Sequence, residues 1–374
     1  MKVTLSAPFG QFPLVLGYNA FTPLPKEGVE AAQAGPTSKK YKEFEKSPVG
    51  NGPYQMDGEW EHNEQINLER HKGYKGENKA HVDNVNYKIY ANLDTAYQDL
   101  IAGNLDQAAV DPTKISDAKS TLGDRYFQAK TSQLTRLDFP MYEKKFQNKD
   151  LRHAFSMAIN RQQIIDKIFD GAHEPATSLI SPVVAGQREN PCGEYCEYDP
   201  KKAKQLYDKA GGFDGTLELW YNSDGGHEQW MTAVANQLRK NLGVKVALRK
   251  QQQAQYLTAQ EEKKMTGPFR NSWLMDYPSM QNYLEPIWGT GGSANRTFYT
   301  NKQVDKYVDQ GNRQPTVTKG YADYYKAEDQ VLEDMPGIPL FYHNSPQAYS
   351  ERIKNVRVDP FGFVVLPEIQ LADA

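Results

Sequence analysis

Between residues 217 and 248 the sequence changes its hydrophobic period twice, and this constrains the fold more than any other stretch. Leu217, Leu219 and Tyr221 alternate with Glu218 and Trp220, the period of a strand. From about residue 226 to 241 the apolar positions Trp230, Val234 and Leu238 fall on one helical face, and Gly243 ends the run. Val244, Val246 and Leu248 then alternate again. Strand, helix and strand within so short a span predict two parallel strands joined by a right-handed crossover.

The flanking sequence extends an α/β pattern. Asp150 is placed to cap a helix whose stripe is Leu151, Ala154, Phe155, Ala158 and Ile159. A second helix carries Ile164, Ile165, Ile168 and Phe169 and ends at Gly171. Asp199 followed by Pro200 marks another helix start, and Gly211-Gly212 its end. Further strands are expected near residues 269–274 and 338–342, with a helix at 321–332. Toward the N-terminus, strands are expected at Val3–Leu5, Tyr54–Met56, Ile66–Arg70 and Val85–Tyr90. A helix through Ala96, Leu100 and Ile101 should stop at Gly103, before a strand opening at Leu105-Asp106. The tail from Ile353 to Leu371 reads as extended segments around a Pro360–Gly362 turn.

With 374 residues the chain is too long for one core and suits two lobes. The net charge of −3 gives no nucleic-acid footprint, and Lys39–Lys46, interleaved with Glu, reads as solvated surface. No run approaches the roughly 18 apolar residues that span a bilayer. The first residues form no signal peptide. Catalytic signatures are absent: no G-x-S-x-G, H-E-x-x-H or phosphate-binding loop occurs, and the seven histidines show no metal-ligand spacing. The expectation is a binding protein, not an enzyme, without cofactor or metal.

Cys192 and Cys196 are spaced C-x3-C in a Pro/Gly loop. A disulfide, two free thiols and half of a metal site all remain open. His227 lies where the crossover strand hands over to its helix, beside Gly225 and Gly226. It suits carboxylate binding, or it is a surface histidine at a helix start. Arg270, Ser272 and Leu274 share one face of a strand, with Trp273 on the other and Asp276 just beyond its end. A cation and an anion on one short element fit the two ends of a zwitterionic peptide. They equally fit an ion pair within the fold.

Five stretches in this order resemble the peptide/nickel class of extracellular solute-binding proteins of ABC importers, the dipeptide- and oligopeptide-binding proteins. They are Ser47-Pro48-Val49-Gly50-Asn51-Gly52-Pro53-Tyr54, Leu151-Arg152-His153-Ala154 through Ile159-Asn160-Arg161, Tyr198-Asp199-Pro200-Lys201-Lys202-Ala203, Gln237 through Val244, and Trp273-Leu274-Met275-Asp276-Tyr277-Pro278. The resemblance implies an α/β, two-lobed, periplasmic-binding-protein-like fold with mixed sheets and an extended peptide enclosed in a cleft. It assigns residues 1–137 to a first lobe, incomplete at its start, 138–343 to a complete second lobe, and 344–374 to a segment returning to the first. Asp276, after Trp273, matches the aspartate that holds the ligand's amino terminus. Arg270 and His227 match positions that reach its carboxylate, and the backbone of Ser272–Leu274 matches the strand that pairs with it. The implied partners are a short peptide and the importer's membrane permease subunits, with the binding protein a monomer. Relatives of the same class take nickel chelates or oligosaccharides. The parent protein is expected outside the cytoplasm, lipid-anchored or periplasmic, and a truncated chain could be a non-binding remnant.

Overall fold

The computed structural model describes residues 2–372; Met1, Asp373 and Ala374 lie outside the described residues. The chain divides into two compact units, Met1–Asn19 with Thr131–Asn344, and Ala20–Lys130 with Ser345–Ala374. Residues 1–19 thus cluster with the larger unit, not with the segment that follows them. Gly10 donates its N–H to the Asn312 carbonyl at 2.9 Å, and Ser279 donates to the buried Gln11 side chain at 2.6 Å.

In the larger unit the crossover forms as its periods require. Thr216–Asn222 and Lys245–Gln251 pair in parallel along their whole length. The helix His227–Leu242 between them buries Trp230, Met231, Val234, Ala235, Leu238 and Leu242. It opens at Gly226 (φ 71°) and closes at Gly243 (φ 75°), both in the left-handed region that favours glycine. The sheet continues from Thr216–Asn222 to Phe269–Trp273, then to residues 131–138, then to the strand that begins at Gly337. Phe269–Trp273 runs antiparallel to residues 134–138, with Ser272 opposite Thr135 and Arg270 opposite Leu137. Two strands, Tyr126–Asp138 and Gly337–Tyr349, carry the chain across the division.

The family-like motifs with arginine prove to be scaffold. Arg152 is buried and donates to the carbonyls of Phe146, Asp334 and Met335, closing the end of the helix Tyr321–Asp334. Arg161, also buried, donates to the carbonyls of Pro339 (2.8 Å) and Cys196 (3.1 Å). Such groups satisfy carbonyls that a helix end or loop would otherwise leave unpaired. Asp199 caps Pro200–Lys209 by accepting from the N–H groups of Lys201 and Lys202. Cys192 and Cys196 are joined by a disulfide and are both buried.

The smaller unit holds the antiparallel sheet Tyr54–Met56, Gln65–Arg70 and Asn84–Lys88. A modest core forms where Tyr97 and Leu100, from the helix Leu93–Ile101, meet Ala108, Val110, Ala118, Leu122 and Ala348. In the tail, Asp359 accepts from the N–H groups of Phe361 and Phe363, and Gly362 (φ 91°) completes the turn.

Some local expectations need correction. Val3–Leu5 forms no strand; Val3 and Leu5 are exposed and have no strand to pair with. Asn148, not Asp150, caps the helix Lys149–Met157, accepting from the Asp150 N–H at 3.0 Å, while Asp150 pairs with Lys209. The third strand ends at Lys88, and the next opens at Gln107. Lys39–Lys46 is solvated as expected but helical, with Ser38 as its cap. The helices Lys26–Ala34, Met280–Trp288 and Lys302–Asn312 were not anticipated.

Candidate functional site

The strand Phe269–Trp273 places the candidate residues. Its pairing with Thr216–Asn222 is confined to one position, Trp220 with Phe269. From Arg270 onward, one edge of the strand is therefore outside the ladder, although the Arg270 carbonyl accepts from the Tyr256 hydroxyl at 2.6 Å. Both faces are polar. On one, Asn271 donates to Asp138 at 2.9 Å, and Asp138 holds Arg136 through two hydrogen bonds of 3.1 and 3.0 Å. Arg136 and Asp138 are each 1% exposed, and the guanidinium lies 5.1 Å from the Trp288 ring. This buried ion pair belongs to the scaffold.

The other face carries Arg270. Its Nη2 donates to Ser272 Oγ at 3.0 Å and its Nη1 to Asn222 Oδ1 at 3.3 Å. Among the described residues Arg270 makes no ion pair, and its Nε is buried without a hydrogen-bond partner. A half-buried guanidinium in that state is a donor set awaiting an acceptor. The open alternative of an Arg270–Asp276 pair within the fold is not realised.

The structure brings His227 to Arg270. The ring sits at the start of its helix, and its Nδ1 accepts from Trp230 Nε1 at 3.2 Å. A neutral ring in that position carries its proton on Nε2. Burial first and the Arg270 charge second bring the His227 pKa down to about 4, against the opposing charge of Asp224. The same face holds residues that the sequence did not flag. Thr135, across the strand from Ser272, contacts His343 Nε2 through Oγ1 at 2.7 Å. The His343 ring lies against that of His173, tilted by 45° with centroids 4.3 Å apart. Burial sets both histidines low, His173 at about 4, and His173, Arg270 and His227 press further on His343. A polar row thus runs from His343 through Thr135, Ser272 and Arg270 to Asn222, with His227 near enough to feel the Arg270 charge. No local signal could have found Thr135, Asn222 or His343, because they reach the row from other strands, Asn222 through its side chain alone.

Asp276 stands apart from this row. Its N–H donates to Asn282 Oδ1 at 2.9 Å, and its carboxylate accepts from Asn282 Nδ2 at 3.1 Å. Trp273 Nε1 donates to the same Asn282 oxygen at 3.0 Å, tying the indole to the turn. Asp276 also receives the Tyr18 hydroxyl, whose pKa it raises chiefly through its charge. A cavity of about 700 Å³ opens beside it, lined in part by Tyr277, Gln281, Glu285, Asp305 and Asp309. Leu274, between the two ends, is exposed. Among the described residues, no group of three or more His, Cys, Asp or Glu side chains is placed to hold a metal ion.

Solved structures share this architecture. The murein tripeptide-binding protein MppA of Escherichia coli superposes with a TM-score of 0.78 at 22% identity, over 99% of this chain and 72% of that one. The periplasmic binding protein DppA of Helicobacter pylori, in complex with the peptide STSA, gives 0.79 at 23%, over 98% and 71%. The chain belongs to the bacterial extracellular solute-binding proteins, family 5, whose middle-region model matches residues 1–295. Among curated relatives it is 26% identical to the dipeptide-binding protein DppE of Bacillus subtilis, over 98% of this chain and 67% of that protein. It is 26% identical to the oligopeptide-binding protein OppA of the same organism, over 82% of this chain and 58% of that protein. The chain therefore spans only about two thirds of the relatives it matches. Among the described residues, no helix is long and apolar enough to cross a membrane.

Proposed function

We propose that this chain carries the ligand-gripping unit of an ABC-importer solute-binding protein and that its ligands are short peptides. The observation that carries this reading is Arg270, a half-buried guanidinium with no carboxylate of its own, on a strand that ends beside the Asp276 carboxylate. Six residues of chain span at most about 20 Å. An extended peptide of two to five residues, running along the unpaired edge, has its ends within that reach. In this reading Arg270 and His227 take the peptide carboxylate, Asp276 takes the ammonium, and Ser272, Trp273 and Leu274 flank the backbone. The relatives and neighbours named for dipeptides, oligopeptides and a murein tripeptide support the same ligand class.

The protein works outside the cytoplasm, delivers its ligand to membrane permease subunits, and performs no chemistry on it. Calorimetric titration with di- to pentapeptides, nickel and oligosaccharides tests the assignment. Peptides alone should bind and be recovered intact. Arg270→Gln and Asp276→Asn should each weaken binding by about 30-fold or more, the scale for leaving one buried charge unpaired. Binding of nickel or sugar in place of peptide, or peptide affinity unchanged in both variants, overturns it.

A further inference from the structure

The polar row beside Arg270 contains more imidazole than carboxylate binding requires. His227, His343 and His173 all lie there, His343 and His173 at 4.3 Å and His343 within 2.7 Å of Thr135. The other groups facing them are few. Around His173 and His343 they are the rings of Phe169 and Phe341, and around His227 the Trp230 indole. The charges that reach them are Arg270 from the central strand and Asp224 from the loop before the helix. Arg270 also feels Tyr256, Asp224, Arg136 and Asp138, of which Arg136 and Asp138 neutralise each other as a buried pair. The row therefore has one permanent positive charge and three imidazoles whose neighbours are mainly that charge and each other.

Protonating any of these rings in the empty site places a second cation next to Arg270. An anion seated on the guanidinium removes that obstacle and adds an attraction. By linkage, each proton drawn in this way strengthens binding as pH falls. Resting on the peptide-binding reading, we propose that the His173–His227–His343 group makes this end of the site a proton-coupled anion receptor, with His343 a specificity-determining residue that favours ligands bearing two negative charges there. Ligands of that class are peptides with a C-terminal aspartate or glutamate. A single carboxylate is matched by Arg270 alone, and the second charge recruits a proton from solvent to an imidazole.

Calorimetry of Ala-Ala-Ala, Ala-Ala-Glu and the C-terminal amide of Ala-Ala-Ala, in buffers of different ionisation enthalpy, counts the protons. Uptake should be largest for Ala-Ala-Glu and absent for the amide. The Ala-Ala-Glu affinity should rise about tenfold between about pH 7.5 and about pH 5.5. In His343→Gln the uptake should fall by at least half, with Ala-Ala-Glu losing more affinity than Ala-Ala-Ala. Equal uptake for all three peptides, or a pH-independent preference, overturns the proposal. A second measurement needs no peptide. Side-chain NMR titration of the ligand-free protein should show His227 and His343 titrating about one pH unit higher in Arg270→Gln than in the parent. Failure of every peptide to bind sinks the peptide reading, whereas unmoved histidine titrations sink this one.

Discussion

The two units of this chain spend their hydrophobic residues differently. Among the largest fully buried side chains of the described residues, Trp230, Trp288, Tyr221, Tyr256, Tyr283 and Phe155 all belong to the larger unit, and Tyr97 is the only member from the smaller one. The smaller unit leaves Val49, Tyr87, Ile89, Leu93, Ile101 and Phe363 exposed. Half of the buried residues in its core cluster are alanines. Buried area sets local stability, so the larger unit is the rigid platform and the smaller one opens more easily. The candidate residues all lie on the rigid platform, where geometry is held closely enough for a charged row to stay ordered.

This contrast can be broken in three ways, the strongest first. Phe155 is 1% exposed and packs against Phe139, Tyr207 and Phe213. Phe155→Ala should cost about 4 kcal/mol in urea unfolding and disorder the Arg270 face. Leu100→Ala in the smaller unit should cost about 2–3 kcal/mol and leave NMR signals of that face in place. Equal disturbance of the face by both variants would erase the distinction.

Acid provides the second comparison. Burial holds the His173 pKa near 4, and the unfolded chain takes up that proton near 6.5. The unfolded state therefore binds more protons between these values, and stability present above about pH 6.5 is lost as pH falls toward 4. From His173 alone the loss by pH 4 is about 3 kcal/mol, and His153 and His227 act in the same direction. In the smaller unit, His62 and His81 are exposed. Hydrogen exchange across that pH range should show protection falling first in the larger unit.

The smallest effect concerns the disulfide. Closing so short a loop is worth about 2 kcal/mol in the chain-entropy account, so the double variant Cys192→Ser, Cys196→Ser should unfold at correspondingly lower urea. Hydrogen exchange in the smaller unit should not change.

The elements readable from sequence were those with a clean period and a cap. The crossover of 216–251 and the Asp199-Pro200 helix start are local statements, made by residues a few positions apart. Val3–Leu5 misled because alternation without a partner strand has no backbone hydrogen bonds to make. Met280–Trp288 was hidden by Pro286 and by its polar buried residues Gln281 and Asn282. Lys302–Asn312 was hidden because its buried face is marked only by Val304, Val308 and Gly311. The Asn148 cap was missed for Asp150 because both side chains are good acceptors and only the backbone path selects between them.

By itself the sequence determined the α/β character, the alternation that puts Arg270 with Ser272, and the position of Asp276 beyond the strand's end. Those facts follow from periodicity, which short-range sterics enforce. The tertiary structure alone decided that Arg270 makes no ion pair among the described residues, that Asp276 binds Asn282 instead, and that Thr135 and His343 join the row. The Asp276–Asn282 contact is set by the path of the turn between residues six apart, whereas Thr135 and His343, 208 residues apart, meet beside Ser272 only because their strands lie side by side, and that pairing is set by packing of the whole sheet, not by local preference.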